Sequence, residues 1–429
     1  MSLFSLFKNL PIDLQYIVMS YDPKMLLHLS KSQLGKYDWF RLIKMNFGLS
    51  YERGMCTNKE IRGVYWNICQ RDRKICGGMD TLIVLGDVRL MGCGYNNYGQ
   101  CGFGDNRDRP MFAIVEKLSR KVELVASGGY HTIIKCEDGI LMSCGNNGSG
   151  QLGLGDFVDR NVFEVVKGVF ENIAEVICGV SHSIIRLTNG TILGCGSNLN
   201  GRLGIGSEVN RFTFREIAVG KKIVQVACGA AHTILRCADG TLMSSGDNSY
   251  GQLGLKNNWN KKVFQDVLDI PKNIAEVVCG SYYTFIRLTD GTLMSCGNNN
   301  YGQLGLGDYE SRDKFERLVG MSRYSKSVME VNCGPYHTII RLMNGRLMGC
   351  GYNGDGRIGF SENLNRNIFE VIPGANILKN IVEIFCGNFQ TIFRLKDGTL
   401  MNCGSSYFHT LRSPEWKFSP ELKIIPIKL

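Results

Sequence analysis

From Cys76 to Leu429 the chain repeats short runs of alternating apolar and polar residues, cut by glycine-rich turns. One unit reads "IAEVVCG" (274–280), a short link, "YTFIRL" (283–288), a turn, and "GTLMSCG" (291–297). A glycine loop, "YGQLGLGD" (301–308), follows, and each unit ends in a fourth run such as "NVFEVV" (161–166). Alternation over four to eight residues is the mark of half-buried strands. Aligned on the "CG" glycine, the copies start at Gly77, Gly128, Gly179, Gly229, Gly280, Gly334 and Gly387, at spacings of 51, 51, 50, 51, 54 and 53. Between the second and third runs stand Asp138-Gly139, Asn189-Gly190, Asp239-Gly240, Asp290-Gly291, Asn344-Gly345 and Asp397-Gly398. These dipeptides predict two-residue type I′ hairpins. The first unit has Gly86-Asp87 instead. Four short strands per unit and seven units without a helical period predict an all-β seven-bladed β-propeller with four-stranded blades. The tail "ELKIIPIKL" (421–429) is the candidate fourth strand of the last blade.

The pattern changes in residues 1–48. Leu14, Ile17 and Val18 have helical spacing, as in part do Leu26, Leu27 and Leu29. Pro11 suits a first helical turn, and Asp22-Pro23 and Gly35 break the run, which predicts three short helices. So short a segment cannot supply its own core and must dock on something. Residues 49–75 read as a connector, leaving 76–429 for the propeller of about 51-residue repeats.

Composition adds limits. Of 429 residues, 44% are hydrophobic and 21% charged, and 52 glycines against 9 prolines fit many tight turns rather than a flexible linker. No apolar run approaches the ~20 residues of a membrane span. Lys8 and Asp13 interrupt any signal-peptide order at the start, so the expected location is inside a cell, cytoplasm or nucleus. The net charge of +10 is concentrated at the front, where residues 1–75 hold 12 Lys+Arg against 6 Asp+Glu. The remainder is too weakly basic for a nucleic-acid footprint.

The repeated polar residues invite chemistry and mostly refuse it. Cysteines recur at Cys76, Cys178, Cys228, Cys279, Cys333 and Cys386, and again at Cys93, Cys144, Cys195, Cys296, Cys350 and Cys403. Within a blade these sit on first and third strands, about 9.6 Å apart, beyond the roughly 7 Å a disulfide allows. They read as reduced, buried, small apolar residues, and no compact Cys-x-x-Cys pair suggests zinc. His131, His182, His232 and His337 share one repeat position, around an axis and too dispersed for one metal, so a structural hydrogen-bonding role is expected. Eleven residues before Arg186, Arg236, Arg287, Arg341 and Arg394 stand Glu175, Gln225, Glu276, Glu330 and Glu383. The second unit replaces both members, with Leu124 and Lys135. The covariation predicts cross-strand pairs, worth about 0.2–1 kcal/mol each. Met79, Tyr130, Tyr282, Tyr336 and Phe389 lie in the variable links after "CG", which emerge on one face. Aromatics and methionine are what protein interfaces enrich, so these five are the expected partner-binding face. No phosphate loop, nucleophile elbow or metal spacing is found. The expectation is no enzyme, no catalytic or metal residues and no cofactor.

The stretches "CGAAHTILRCADGTLMSSGDNSYGQLG" (228–254) and "CGSYYTFIRLTDGTLMSCGNNNYGQLGLG" (279–307) resemble the regulator-of-chromosome-condensation repeat family, from about Cys76 onward. Where that family usually carries a tryptophan, this chain has Cys144, Cys195, Ser245, Cys296, Cys350 or Cys403, so blade contacts must be repacked. Residues 1–48 resemble an F-box, through Leu10, Pro11, Asp13, Leu14, Ile17, Tyr21, Asp22, Leu26, Leu27, Leu29 and Ser30, with Trp39 and Leu42 in the closing helix. The expected fold is therefore the propeller preceded by a small α-helical F-box-like segment. The combination also resembles F-box/propeller proteins of large DNA viruses that infect amoebae, in which case the cell would be the host's. The F-box resemblance implies a substrate-recruiting adaptor for a cullin–RING ubiquitin ligase. Leu10, Pro11, Leu14, Ile17, Leu26, Leu27 and Leu29 would then meet a Skp-type adaptor, while the propeller holds an unknown protein target. The alternatives are a scaffold propeller without a ligase link, or a guanine-nucleotide exchange factor for a Ran-like GTPase. The repeat spacing leaves no room for the projecting wedge that such exchange factors use.

Overall fold

In the computed structural model the described residues are 10–21, 31–47, 75–78, 81–85, 90–168, 172–373, 380–405 and 419–425, with single positions at 7, 26, 29, 57, 58, 61, 62 and 65. Among them, seven sheets each contain four consecutive antiparallel strands. The first is β1 (Ile75–Gly77), β2 (Thr81–Leu85), β3 (Leu90–Gly94) and β4 (Arg109–Ile114). The second is β5 (Val122–Ser127), β6 (His131–Cys136), β7 (Leu141–Gly145) and β8 (Arg160–Val165). The same order continues through β9–β12 (173–216), β13–β16 (223–266), β17–β20 (274–317) and β21–β24 (328–371). It ends with β25 (Ile381–Cys386), β26 (Gln390–Leu395), β27 (Leu400–Gly404) and β28 (Ser419–Ile425). No strand is exchanged between sheets, so the first and last blades meet side by side. There the amide of Ile75 donates to Glu383 Oε1 at 3.1 Å, and Ile75, Met91 and Cys93 share a buried cluster with Ile392 and Leu400.

The consecutive antiparallel order defines two faces. The "CG" links and the long loops between third and fourth strands lie on one, here the link face. The hairpin turns and the connections to the next blade lie on the other, the turn face. The hairpins correct the predicted type. Gly139 has φ 82°, whereas Asp138 is not among the residues with positive φ. Gly139 N–H donates to Cys136 O, and Cys136 N–H to Ile140 O. Each of the six described turns is thus a three-residue loop closed by a left-handed glycine, with the Asp or Asn side-chain oxygen accepting from the backbone two residues on, as Asp239 Oδ1 does from Thr241 N at 2.9 Å. The weaker turn expected at Gly86-Asp87 lies outside the described residues.

The Glu–Arg pairs stand in register, Glu175 opposite Arg186 and Glu330 opposite Arg341. Their ion-pair distances are 2.6 Å for Arg186–Glu175, 3.0 Å for Arg287–Glu276, 2.7 Å for Arg341–Glu330 and 2.9 Å for Arg394–Glu383. They do more than join neighbouring strands. Glu175 Oε1 also accepts from Val226 N of the next blade at 3.1 Å, and Gln225 Oε1 from Val277 N at 3.1 Å. Arg236 donates across to Ile274 O. The pair is an inter-blade clip, and in the fifth and sixth blades it is buried, with side-chain exposures of 4–10%. The missing tryptophan is replaced in the same spirit. Cys144, Cys195 and Cys350 each donate a weak Sγ–H bond, 3.4 Å long, to a backbone carbonyl of the preceding blade. A fourth-strand phenylalanine fills the rest. A Cβ on Gly153 would lie 2.5 Å from the Phe214 ring and 3.3 Å from Cys195 Sγ.

The N-terminal expectation needs correction. Helices α1 (Ile12–Tyr21), α2 (Lys31–Leu34) and α3 (Trp39–Phe47) are present, but no F-box-like unit stands ahead of the propeller. Arg41 lies over the Tyr16 ring at 4.4 Å, and the Asp38 amide donates to Tyr16 Oη at 2.8 Å. Leu26, Leu29, Trp39 and Leu42 are buried in one cluster with Met329 of β21, flanked by Ala275 of β17 and Met343. Ile61 and Tyr65, in the expected connector, are fully buried in the same cluster. Leu26 and Leu29, which an F-box would offer to an adaptor, are here used to dock the helices on the turn face of the fifth and sixth blades.

Candidate protein-recognition face

The link face is rigid because its backbone is pinned from beneath. Four buried histidines reach into the next blade: His131 Nε2 lies 2.8 Å from Ser183 Oγ, His182 3.1 Å from Thr233 Oγ1, His232 3.2 Å from Thr284 Oγ1 and His337 2.8 Å from Thr391 Oγ1. Each of these hydroxyls gives its only hydrogen to a backbone carbonyl, as Ser183 does to Gln151 O and Thr284 to Gln252 O, both at 2.8 Å. The hydroxyl must therefore accept from the imidazole, which fixes the tautomer with the proton on Nε2. All four Nδ1 atoms are buried without a hydrogen-bond partner. Burial lowers His131 to about 3 and His232 to about 4, and puts His182 and His337 well below the ordinary value of 6.5. These rings are neutral spacers, and Tyr283, at the same position, bonds Gly334 O of the next blade at 2.9 Å.

A second device holds the loop after each third strand. Asn147, fully buried, donates from Nδ2 to Asp156 O at 2.9 Å and accepts at Oδ1 from Leu152 N at 3.0 Å. Asn96, Asn198, Asn248, Asn299 and Asn353 repeat the bond to the backbone five residues on.

On this frame sit the aromatics. Tyr130, Tyr282, Tyr336 and Phe389 all lie on the link face, and Met79 lies outside the described residues. The links alone do not make the surface, because the neighbouring loop adds its own tyrosines. Tyr95, Tyr98 and Tyr130 form one cluster, with ring centroids 5.2–6.3 Å apart. Tyr250 packs on Tyr282 at 5.7 Å. Tyr301 meets both Tyr336 at 5.4 Å and Tyr352 at 5.0 Å, and Arg357 bridges Tyr352 and Phe389. Sequence reasoning missed Tyr95, Tyr98, Tyr250, Tyr301 and Tyr352. For Tyr98, Tyr250 and Tyr301 the signal was the tyrosine that recurs beside "GQ", and for Tyr95 and Tyr352 the one that follows the third-strand "CG". Tyr250 and Tyr336 are 39% and 38% exposed.

The channel at the centre, lined by Gly128, Cys178, Gly229, Cys279 and their equivalents, holds about 150 Å³, below the 300–1,000 Å³ typical of small-molecule sites. Among the described residues no three His, Cys, Asp or Glu side chains are grouped to hold a metal. The residues expected to meet an adaptor divide. Leu26 and Leu29 are buried, Leu10 is half-buried, and Pro11 and Leu14 are exposed. Leu27 and the side chain of Ile17 lie outside the described residues.

A fold of seven pinned blades with one aromatic face defines a protein-interaction module. The family model of the RCC1-like domain matches residues 89–422, and the chain belongs to that family. It is 36% identical over 321 residues to the X-linked retinitis pigmentosa GTPase regulator of Mus musculus, covering 73% of this chain and 32% of that protein. It is 28% identical over 324 residues to the probable E3 ubiquitin-protein ligase HERC6 of Homo sapiens, covering 74% and 26%. The chain thus spans about a third or less of these relatives' length. Among solved structures, Prp20p of Saccharomyces cerevisiae superposes with a TM-score of 0.71 at 18% identity, over 81% of this chain and 87% of that one. That likeness shows the fold.

Proposed function

We propose that the chain is a non-enzymatic recognition module that binds a protein partner on its link face. One observation carries this reading: a half-buried tyrosine arc lies on the link face with Tyr250 and Tyr336 exposed, while the N-terminal helices dock on the turn face. Tyrosine supplies large contact area at low entropic cost and is enriched where interfaces bind tightly. The fifteen described cysteines are all free, which supports a reducing, intracellular setting. A photo-crosslinking residue placed at Tyr250 or Tyr336 should capture a partner in cell extract, and the same residue at Lys121 or Lys272 on the turn face should not. Capture from the turn face alone would refute the reading.

A second reading, recruitment to a Skp-type adaptor of a cullin–RING ligase, is supported by Pro11, Ile12 and Leu14 at the start of α1, where Ile12 and Leu14 are 40% and 46% exposed. Titration calorimetry with a purified adaptor tests it. Binding by the wild type that Leu14→Asp removes would support it, and absence of binding by a folded wild type would end it. Exchange on a Ran-like GTPase draws only on names, since one relative is called a GTPase regulator and the Prp20p structure is described with its binding to Gsp1p. Nucleotide release from such a GTPase separates it from both.

A further inference from the structure

We infer that the link face reads a carboxylate of its partner, and that Arg202 is the residue that receives it. This rests on the proposed use of that face and names the chemistry of what binds there. The position is the "Q" of the repeated "GQLG". In the second, fourth and fifth blades it is a glutamine whose Nε2 is taken up by the side chain five residues earlier: Gln151 by Asn146, Gln252 by Asp247 and Gln303 by Asn298. In the sixth blade it is Arg357, whose Nε meets Asp355 Oδ1 at 2.7 Å. In the third blade it is Arg202, and its supports are two carbonyls only, Leu199 O at 3.1 Å from Nε and Ala230 O at 3.3 Å from Nη1.

Arg202 is 7% exposed, and among the described residues no carboxylate lies within ion-pair distance of it. Asp247 influences it from farther off, but the Asp247 oxygens already accept from Gln252 Nε2 at 2.8 Å and Ser249 Oγ at 2.6 Å. A guanidinium so far removed from water without a counter-charge is costly, and a neutral glutamine fills the same place in four other blades. The surroundings are open where the rest of the face is crowded. The link above is Ala230-Ala231, with the smallest side chains of any link, and Leu199 and Tyr250 stand exposed at the rim. A planar carboxylate matches the free edge of an arginine fork. Tyr250, packed on Tyr282 beside it, would hold the chain that carries it.

The test uses the full chain and rhodamine-labelled peptides in fluorescence anisotropy. The probes are hexaglutamate with an amidated C-terminus, hexaglycine with a free one, and amidated hexaglutamine. Saturable binding of hexaglutamate assigns the carboxylate to an acidic side chain, and preference for hexaglycine assigns it to a chain terminus. Amidated hexaglutamine should bind at least tenfold more weakly than the favoured probe. Arg202→Gln, which installs the residue other blades carry, should weaken that probe at least tenfold. Arg107→Gln removes the same charge from an exposed site on the same face and should leave affinity within twofold. Tyr250→Ala, at the exposed rim, should weaken binding without touching the frame. Equal binding of the neutral peptide, or affinity unchanged by Arg202→Gln, overturns the inference. Crosslinking from Tyr250 and Tyr336 with Arg202→Gln silent would overturn it and leave the recognition face standing.

Discussion

Acid should destabilise this propeller through its buried histidines. His131 and His232 are held near 3 and 4, and His182 and His337 well below 6.5, by burial. Protonation would add a hydrogen at Nδ1, an atom with no partner. A Cβ on Gly128 would come within 2.5 Å of His131 Nδ1, so no water fits between ring and backbone. The unfolded chain binds these protons below about 6.5 and the folded chain does not, so stability is full above pH 7 and falls with pH down to 3–4. At pH 5.5 each neutral histidine forfeits about 1.4 kcal/mol. The four together forfeit about 5–6 kcal/mol, a large part of the 5–15 kcal/mol that holds ordinary domains. Paired carboxylates such as Asp105 and Asp156 are shifted below 3.8, so their contribution is lost only in stronger acid.

Urea unfolding between pH 7.5 and 5 measures this. The slope of stability against pH should approach about 5 kcal/mol per unit below pH 6. His131→Gln, borrowing the residue that blade seven has at Gln390, should cut the slope by about a quarter whatever it does to stability at neutral pH. A flat profile between pH 7 and 5, or a variant with the parent's slope, refutes the tautomer and burial argument together.

Two further substitutions probe the frame. Gly128→Ala puts a methyl 2.1 Å from His131 Cε1 and 2.4 Å from Gly179 O; neither can retreat, so a loss of about 1–3 kcal/mol or more is expected in thermal unfolding. Glu330→Ala leaves Arg341 charged at 5% side-chain exposure, which should cost about 3–5 kcal/mol, while Glu175→Ala, at 26% exposure, should cost less. Equal losses at the two sites would count against burial as the cause.

The strand order, the Glu–Arg register and the bonding role of the histidines were legible because each is local or repeated. Eleven residues separate Glu175 from Arg186 whichever blade is read, and a hairpin brings them together. What was not legible depends on depth or distance. The pair's expected worth of about 0.2–1 kcal/mol is that of an ordinary cross-strand pair, since a sequence pattern says that Glu330 faces Arg341 but not that both are buried. The turn type was misread because Asp-Gly fits two loop lengths, and the bond from Gly139 N to Cys136 O decides between them. Five of the eight tyrosines of the arc were missed because Tyr301 reaches Tyr336 only when a loop folds back over the next blade's link. The docking of Leu26 and Leu42 beside Met329 joins positions some 300 residues apart.

The repeated residues and the variable ones divide the labour of this molecule by face. Histidine, threonine, asparagine and the cysteine in place of tryptophan all bond within their own loop or to a neighbouring blade. Side chains leave the frame at the two link positions and in the loop beside them, and there the chain places tyrosines. Arg202 is the exception that tests the rule, a charged residue at a frame position without the acid that Arg357 has. If the frame alone mattered, glutamine would serve in its place, as it does at Gln151 and Gln252. A charge kept at a cost to the scaffold points to a partner that repays it, and the third blade is where that partner's acid should be found.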